Sequence, residues 1–421
     1  MIQSYKLVLV FFFSLANFIP ISVYSEDKDN TCDPFFFFSL ASFTLDDTCM
    51  PFPNLEWMQI EKLIGDYWQL REHPDHSEWI QIWPRQEKTP QATNYTILSI
   101  VSKQSKSYRM ALKQLLDVFQ QQGINTSITL VNIDKKQSLL KKSLNYAEEE
   151  NYDLIFSMGS QSEAILHKTY SHGKIPVVTS TNKDPVLLGQ IDSYEGERGS
   201  NIAYTSLNVP LSIQEEYLKV LKPNLKVIGL MYNKNHKQVM VTEVKPTKKE
   251  FKKSNITVID VIVESTETAP DTLAEIIPKT IKKMKLLDPS LENTIFLVTS
   301  STAIFSHIDV VNRYTKNIPV IATIPNAVTE GKNSAVIAFG IDRRSNAHQA
   351  ALYAIDILKN GIKPGSLPVG IVTPPDISIN FLVAKKIGLK IPFHYFENAN
   401  FIYDYNGKVV RDFGKNVGKS L

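Results

Sequence analysis

Residues 153–162 read Asp153-Leu154-Ile155-Phe156-Ser157-Met158-Gly159-Ser160-Gln161-Ser162. A short apolar run stops at a glycine, and small hydroxyl and amide residues follow. Such a run reads as a strand, Asp153–Ser157, buried on both faces. The residues after it, Gly159 to Ser162, read as the start of a helix. Outward from this point the unit recurs. Short β-branched runs lie at Tyr95–Val101, Ser127–Val131 and Ile175–Thr179, and after a break at Lys226–Tyr232, Ile256–Val261, Thr294–Val298, Ile318–Ala322 and Ser334–Phe339. Helical stretches separate them: Tyr108–Gln122, with Leu112, Leu115, Leu116 and Phe119 on one face, then Gln137–Glu149, Ile213–Leu221, Leu273–Lys285 and Asn346–Lys359. Apolar strands alternating with helices of this length predict parallel sheets covered on both faces. Two such runs, split near Leu207–Pro210, predict an α/β protein of two doubly wound lobes. The segment Gly361-Ile362-Lys363-Pro364-Gly365 ends a helix and carries the chain across a hinge.

Composition narrows the function. The chain has 421 residues, 43% hydrophobic and 21% charged, so it buries a core of two or three domains' size. A net charge of +3 argues against a dedicated nucleic-acid binder. Two cysteines exclude a disulfide-dense scaffold and a four-thiolate zinc site. After the N-terminus no apolar run approaches the ~20 residues of a membrane span, which excludes a multi-span transporter.

The first residues read as a targeting signal. Lys6 is the sole charge before Glu26, the apolar stretch Leu7–Val23 follows it, and Pro20 breaks the run. Residues 1–25 are expected to be a secretory signal peptide cleaved after Ser25. Export makes a Cys32–Cys49 disulfide chemically possible, with two thiols as the alternative. Residues 26–90 carry 13 acidic and 5 basic side chains and all four tryptophans, Trp57, Trp68, Trp79 and Trp83. Leu55, Met58, Leu63 and Tyr67 approach helical spacing over 54–70. Residues 26–92 therefore read as an acidic, Trp-rich accessory segment packing on the main body or a partner, with a linker at Thr89-Pro90-Gln91. His73 and His76 could share a helical face and bind a metal, but Pro74 between them favours a surface turn.

Loops leaving the carboxyl ends of parallel strands line the binding crevice of such sheets. In the first run these are Ser102-Lys103-Gln104-Ser105, Gly159–Ser162 and Ser180-Thr181-Asn182-Lys183-Asp184-Pro185; in the second they are Tyr232-Asn233, Thr299-Ser300-Ser301-Thr302 and Pro325-Asn326. Nearly all are small hydroxyl or amide residues. One alone is a helix cap as readily as a ligand contact. Their recurrence on both lobes points to a carboxylate or other small anion. Catalytic equipment is sparse. None of these loops contains a histidine, Gly159–Glu163 lacks the second glycine of a nucleophile elbow, and no phosphate-cradling or dinucleotide-binding glycine motif occurs. His167, His172, His307 and His348 read as surface or packing residues. Asp184 and Asp342 are the carboxylates expected nearest the crevice, able to do acid–base work or to face a cationic group. No cofactor or metal is implied.

Several landmarks keep their order over about three hundred residues. They include Ile155-Phe156-Ser157-Met158-Gly159-Ser160, Ile175-Pro176-Val177-Val178 with Lys183-Asp184-Pro185-Val186, and Lys222-Pro223-Asn224-Leu225-Lys226-Val227-Ile228-Gly229 running on to Tyr232-Asn233. Later come Phe339-Gly340-Ile341-Asp342, Ile357-Leu358-Lys359-Asn360-Gly361 and Ala384-Lys385-Lys386-Ile387-Gly388-Leu389. On these landmarks residues 93–395 resemble the substrate-binding proteins of bacterial ABC importers, in the tryptophan- and tyrosine-type (TrpX-like) group. The resemblance implies a type I periplasmic-binding fold with three hinge crossings. One lobe would be 93–206 with 342–366 and the other 207–341 with 367–398, leaving 399–421 as a C-terminal tail. It implies a periplasmic, monomeric, non-enzymatic protein that encloses a small amino-acid-like ligand with an aromatic side chain and hands it to an ABC permease. Three departures bear on the ligand: Thr299-Ser300-Ser301 stands where the family often has an acidic residue, Thr323-Ile324-Pro325-Asn326 where Ser-Asp is common, and Arg343-Arg344 where aromatics are frequent.

The expected ligand shell is Ser160, Gln161, Thr181, Asn182 and Asp184 from one lobe, with Asn233, Ser300, Ser301, Asn326 and Asp342. Hydroxyls and amides would hold a carboxylate, and Asp184 or Asp342 an ammonium. Two other readings share the fold: a module presenting its ligand to a membrane receptor, and an exported enzyme using Asp184 and Asp342.

Overall fold

The computed structural model describes residues 65–85, 93–103 and 105–418. The signal peptide expected over 1–25, the Cys32–Cys49 pair, Trp57 and the linker around Pro90 lie outside the described residues.

The first sheet has seven strands: β1 Trp68–Glu72, β2 Ile80–Pro84, β3 Tyr95–Val101, β4 Thr126–Asn132, β5 Leu154–Met158, β6 Val177–Ser180 and β7 Ile202–Ala203. Their order is β1-β2-β4-β3-β5-β6-β7, parallel from β4 to β7. All five residues of β5 are buried, as a strand covered on both faces requires. One face of the sheet meets Leu140, Leu144 and Leu166 from the helices Gln137–Glu149 and Ser160–Tyr170. On the other lie the helices Lys106–Gln121 and Arg343–Asn360, packed on each other. Each wholly buried leucine or isoleucine contributes ~1.5–3 kcal/mol by leaving water.

Residues 68–84 correct the expectation of a separate accessory element. β1 and β2 form an antiparallel edge ribbon, and β2 pairs antiparallel with β4, so this segment is part of the sheet. In β2 the buried Ile80, Ile82 and Pro84 alternate with half-buried neighbours, a period of two rather than 3.6. His73 and His76 lie, as expected, on no helix but in the turn between β1 and β2, where Pro74, Asp75, Ser77 and Glu78 are exposed. His73 itself is buried, and the two rings stack 5.8 Å apart beside Trp79 and Tyr146.

The remaining strands are β8 Thr205–Ser206, β9 Val227–Asn233, β10 Thr257–Val263, β11 Thr294–Val298, β12 Val320–Ala322, β13 Ile337–Gly340, β14 Gly370–Ile371, β15 Asp376–Asn380, β16 Ala399–Tyr403, β17 Val409–Asp412 and β18 Lys415–Asn416. Nine of them form the second sheet, in the order β10-β9-β11-β12-β13-β15-β16-β17-β18. Alternation along β9 builds two cores: Ile228, Leu230 and Tyr232 enter one, Val227 and Met231 the other. Residues 399–416, expected as a tail, supply β16 to β18 of this sheet, and Ala399, Phe401 and Ile402 are buried there.

Between the sheets β8 pairs with β14 in a two-stranded ribbon. The chain leaves the first sheet after β8, returns after β13 into the helix Arg343–Asn360, and leaves again after β14. Asn346, fully buried on that helix, ties these passages together. Its Oδ1 accepts from Thr181 N at 2.6 Å and from the Ser180 and Thr205 hydroxyls at 3.3 Å, and its Nδ2 donates to Ser206 O at 3.1 Å.

Candidate functional site

In the first sheet the chain winds outward both ways from β3, to β4 on one side and β5 on the other; in the second β9 holds that place between β10 and β11. Strands diverging from such a point open a crevice at their carboxyl ends. Both crevices contribute to one cavity of about 330 Å3, a volume typical of small-molecule sites, about 300–1,000 Å3. Its first-lobe wall includes Ser102 and Lys103 after β3, Ser160 and Gln161 after β5, and Thr181 and Lys183 after β6. The second lobe supplies His236, Gln238, Glu243, Ser300 and Thr323, and Arg343 opens the long helix at the return crossing.

Local sequence explains these positions. Gly159 has φ +107, and a Cβ there would collide with the Tyr108 ring and the Ser102 hydroxyl. Only glycine lets Tyr108 close over the start of the helix Ser160–Tyr170. Ser160 Oγ accepts from Lys183 N at 3.1 Å, joining the loops after β5 and β6. Thr181, β-branched yet at φ +59, is held in that uncommon conformation by Asn346. In the second lobe Pro246 follows a π-helical turn, Met240–Val244. It has no N–H to give the Thr242 carbonyl four residues back. Asn208 Nδ2 donates there instead, at 3.4 Å, while its Oδ1 accepts from Asp184 N at 3.0 Å.

The π turn places Glu243 in the cavity wall. Lys183 Nζ reaches it from the first lobe at 2.5 Å and also donates to Ser300 Oγ at 2.6 Å. Ser300 N donates to Glu243 Oε2 at 2.8 Å, the Ser300 hydroxyl bonds the other oxygen, and Thr323 Oγ1 donates at 3.2 Å. Burial alone would raise the Glu243 carboxyl, but the Lys183 charge and these hydrogen bonds hold it below the ordinary range. Burial lowers the Arg343 guanidinium, with Asp342 and Tyr108 opposing.

Of the ten expected shell residues, Ser160, Gln161, Thr181 and Ser300 line the cavity. The others do not. Asp184 faces inward, accepting from Leu187 N and the Tyr194 hydroxyl, both at 2.9 Å. Asp342 caps the helix Arg343–Asn360, taking Arg344 N at 2.9 Å and the Arg344 guanidinium at 3.0 Å. The expectation that these two carboxylates lie nearest the crevice is therefore corrected: backbone capping takes their oxygens away from it. Asn233 accepts from Asn235 N at 2.8 Å in its own turn. Asn326 is exposed, in the turn Pro325–Ala327 after β12. Asn182 and Ser301 are buried behind the wall, their side-chain polar atoms without a partner among the described residues. Sequence reasoning missed Glu243, Tyr108 and Asn208 altogether. It quoted Lys183 and Arg343 without placing them in the shell.

Behind this wall Glu163 is fully buried, and neither carboxylate oxygen has a hydrogen-bond partner among the described residues. Burial, and secondarily the Asp184 charge, raise its carboxyl well above 4.5. The folded chain thus keeps a proton that the unfolded chain releases. Its stabilising effect is complete below about pH 4.5 and declines as pH rises towards the raised folded value. Glu163→Gln should remove up to ~1.4 kcal/mol per pH unit from the slope of stability across that window. Urea unfolding of both forms between about pH 5 and pH 7 measures the difference, and parallel slopes would refute it.

Two α/β lobes with one polar cavity at facing switch points define a two-lobed binding protein of the type I periplasmic class. The model of the family "ABC transporter substrate binding protein" matches residues 96–400, and the chain belongs to this family. Family members bind small-molecule substrates outside the cytoplasm and are not enzymes. The chain is 25% identical over 285 residues to a tyrosine-binding protein of Clostridioides difficile, covering 68% of this chain and 77% of that one. Its fold is similar to the open structure of a substrate binding protein with adhesive properties from Clostridium difficile, with TM-score 0.58, 21% identity, and 72% and 98% of the two chains covered. It is also similar to an ABC domain in complex with L-Trp from Streptococcus pneumonia, with TM-score 0.53, 20% identity, and 73% and 99% covered.

Proposed function

We propose that the protein is exported by a cleaved signal peptide into the periplasm, captures a small carboxylate-bearing, amino-acid-like ligand between its lobes, and delivers it unaltered to an ABC permease. The observation that carries this reading is the polar cavity walled by both lobes, with Lys183 of one reaching Glu243 and Ser300 of the other. A ligand touching both walls favours the closed hinge by its differential affinity, and the permease reads the closed shape. Ser160, Gln161, Thr181 and Ser300 are the proposed hydroxyl and amide contacts from the expected shell, joined by Arg343. The names of the relatives, a tyrosine-binding protein and an L-Trp complex, support an amino-acid-like passenger.

The test is to extract any small molecule that co-purifies, then titrate it and the common amino acids while following thermal unfolding. A ligand of the folded state at a hundredfold excess over its Kd adds ~2.7 kcal/mol, and the shift grows with concentration. Chemical conversion of the bound molecule would overturn the reading, as would the absence of any concentration-dependent shift.

A further inference from the structure

The cavity wall carries four cationic side chains, Lys103, Lys135, Lys183 and Arg343, against one carboxylate, Glu243. Lys183 and Glu243 satisfy each other. Among the described residues no carboxylate pairs with the remaining three cations, and no hydrogen bond engages the Arg343 guanidinium. Lys103 and Lys135 follow β3 and β4 and are exposed at the rim, whereas Arg343 is only partly exposed. The helices Lys106–Gln121, Ser160–Tyr170 and Arg343–Asn360 also bring first-turn residues to the wall, Ser107, Ser160 and Arg343, adding positive ends of helix dipoles. Tyr108 is the one phenolic or phenyl ring of the wall among the described residues. An ammonium would meet no uncommitted carboxylate, because Asp184 and Asp342 point elsewhere and Glu243 is already paired.

From this juxtaposition we propose that the passenger is a small dicarboxylate, one carboxylate held by Arg343 and the other by Lys103 and Lys135, and that an ammonium group adds nothing to its binding. This rests on the substrate-binding reading above and names the ligand class of the same cavity. A planar guanidinium receives a carboxylate through two parallel N–H donors, and lysines at the rim act as point charges.

The experiment is calorimetric titration of the purified protein with succinate, L-aspartate and L-tyrosine. Succinate binds at least as tightly as aspartate, and tyrosine at least about tenfold more weakly than either. Succinate affinity falls several-fold between about 0.01 M and about 0.1 M salt, over which the screening length shortens from about 30 Å to about 10 Å. Arg343→Gln lowers succinate affinity at least about tenfold, and Arg343→Lys recovers part of it. Unchanged thermal unfolding of both variants separates lost contact from lost fold, since among the described residues no salt bridge or hydrogen bond engages the Arg343 guanidinium. Tyrosine binding tighter than both dicarboxylates, or succinate affinity indifferent to Arg343→Gln, would overturn the inference and leave the substrate-binding reading standing. A folded protein that binds neither these three nor any other amino acid would overturn both.

Discussion

Lys183→Met lowers the stability of the folded protein by about 3–5 kcal/mol, because it strands the buried Glu243 carboxylate in the cavity wall without its counter-charge. The Glu243 side chain is 6% exposed and Lys183 14%. Ser300 and Thr323 still hydrogen-bond the carboxylate, but the opposite charge is gone. Glu243→Gln should cost less, since a lysine on a long stem can turn its ammonium into the solvent of the cavity. Lys183→Met with Glu243→Leu should recover much of the loss, because an apolar pair leaves no buried charge behind. Wild-type stability carries the matching pH signature. Glu243 is held below its ordinary 4.5 when folded, so its contribution is complete above about pH 4.5 and disappears as pH falls through the folded value. Lys183→Met should remove that acid limb. Guanidinium unfolding of the three variants at neutral and acidic pH measures all of this; a cost of Lys183→Met no greater than that of Glu243→Gln would refute the asymmetry.

The second large effect falls on Asn346. Asn346→Ala removes the acceptor of Thr181 N and the donor to Ser206 O, both fully enclosed, at about 1–3 kcal/mol for each group left unpaired. The total expected loss is about 2–6 kcal/mol. Thr181 also loses the bond that holds it at φ +59, so the wall segment Thr181–Lys183 relaxes towards ordinary backbone conformations. The variant should therefore bind the passenger more weakly than its stability loss alone explains. Unfolding midpoints and titration of the still-folded variant report the two effects separately. Unchanged affinity would show that Asn346 holds the fold but does not shape the site.

The lobes were legible because buried parallel strands leave a strong mark. Tyr95–Val101 and Thr294–Val298 form with the boundaries their β-branched runs predict, as does the helix Gln137–Glu149. The edges were not legible. β2 is a five-residue strand in an acidic stretch, and its pairing with β4 is decided by a neighbour more than forty residues away. β16 to β18 follow a helix and look like a polar end until β15 offers Ala399–Tyr403 an edge. Strand propensity in such segments expresses the surface they meet more than their own residues.

The site divides the same way. Small hydroxyl and amide residues after the strands marked the right loops, and Ser160, Gln161, Thr181 and Ser300 do reach the cavity. Which of their neighbours turn inward depends on hydrogen bonds that no local pattern carries. Asp184 and Asp342 satisfy backbone donors beside them, Glu243 is brought in by a π turn beside a proline, and Arg343 reaches the wall from the first turn of its helix with no salt bridge or hydrogen bond to its guanidinium among the described residues. By itself the sequence determined two lobes and the strand ends where a ligand meets them, because hydrophobic periodicity is local and repeats. Only the tertiary structure decided the charge of the cavity, because charge at a site is what remains after distant residues have paired.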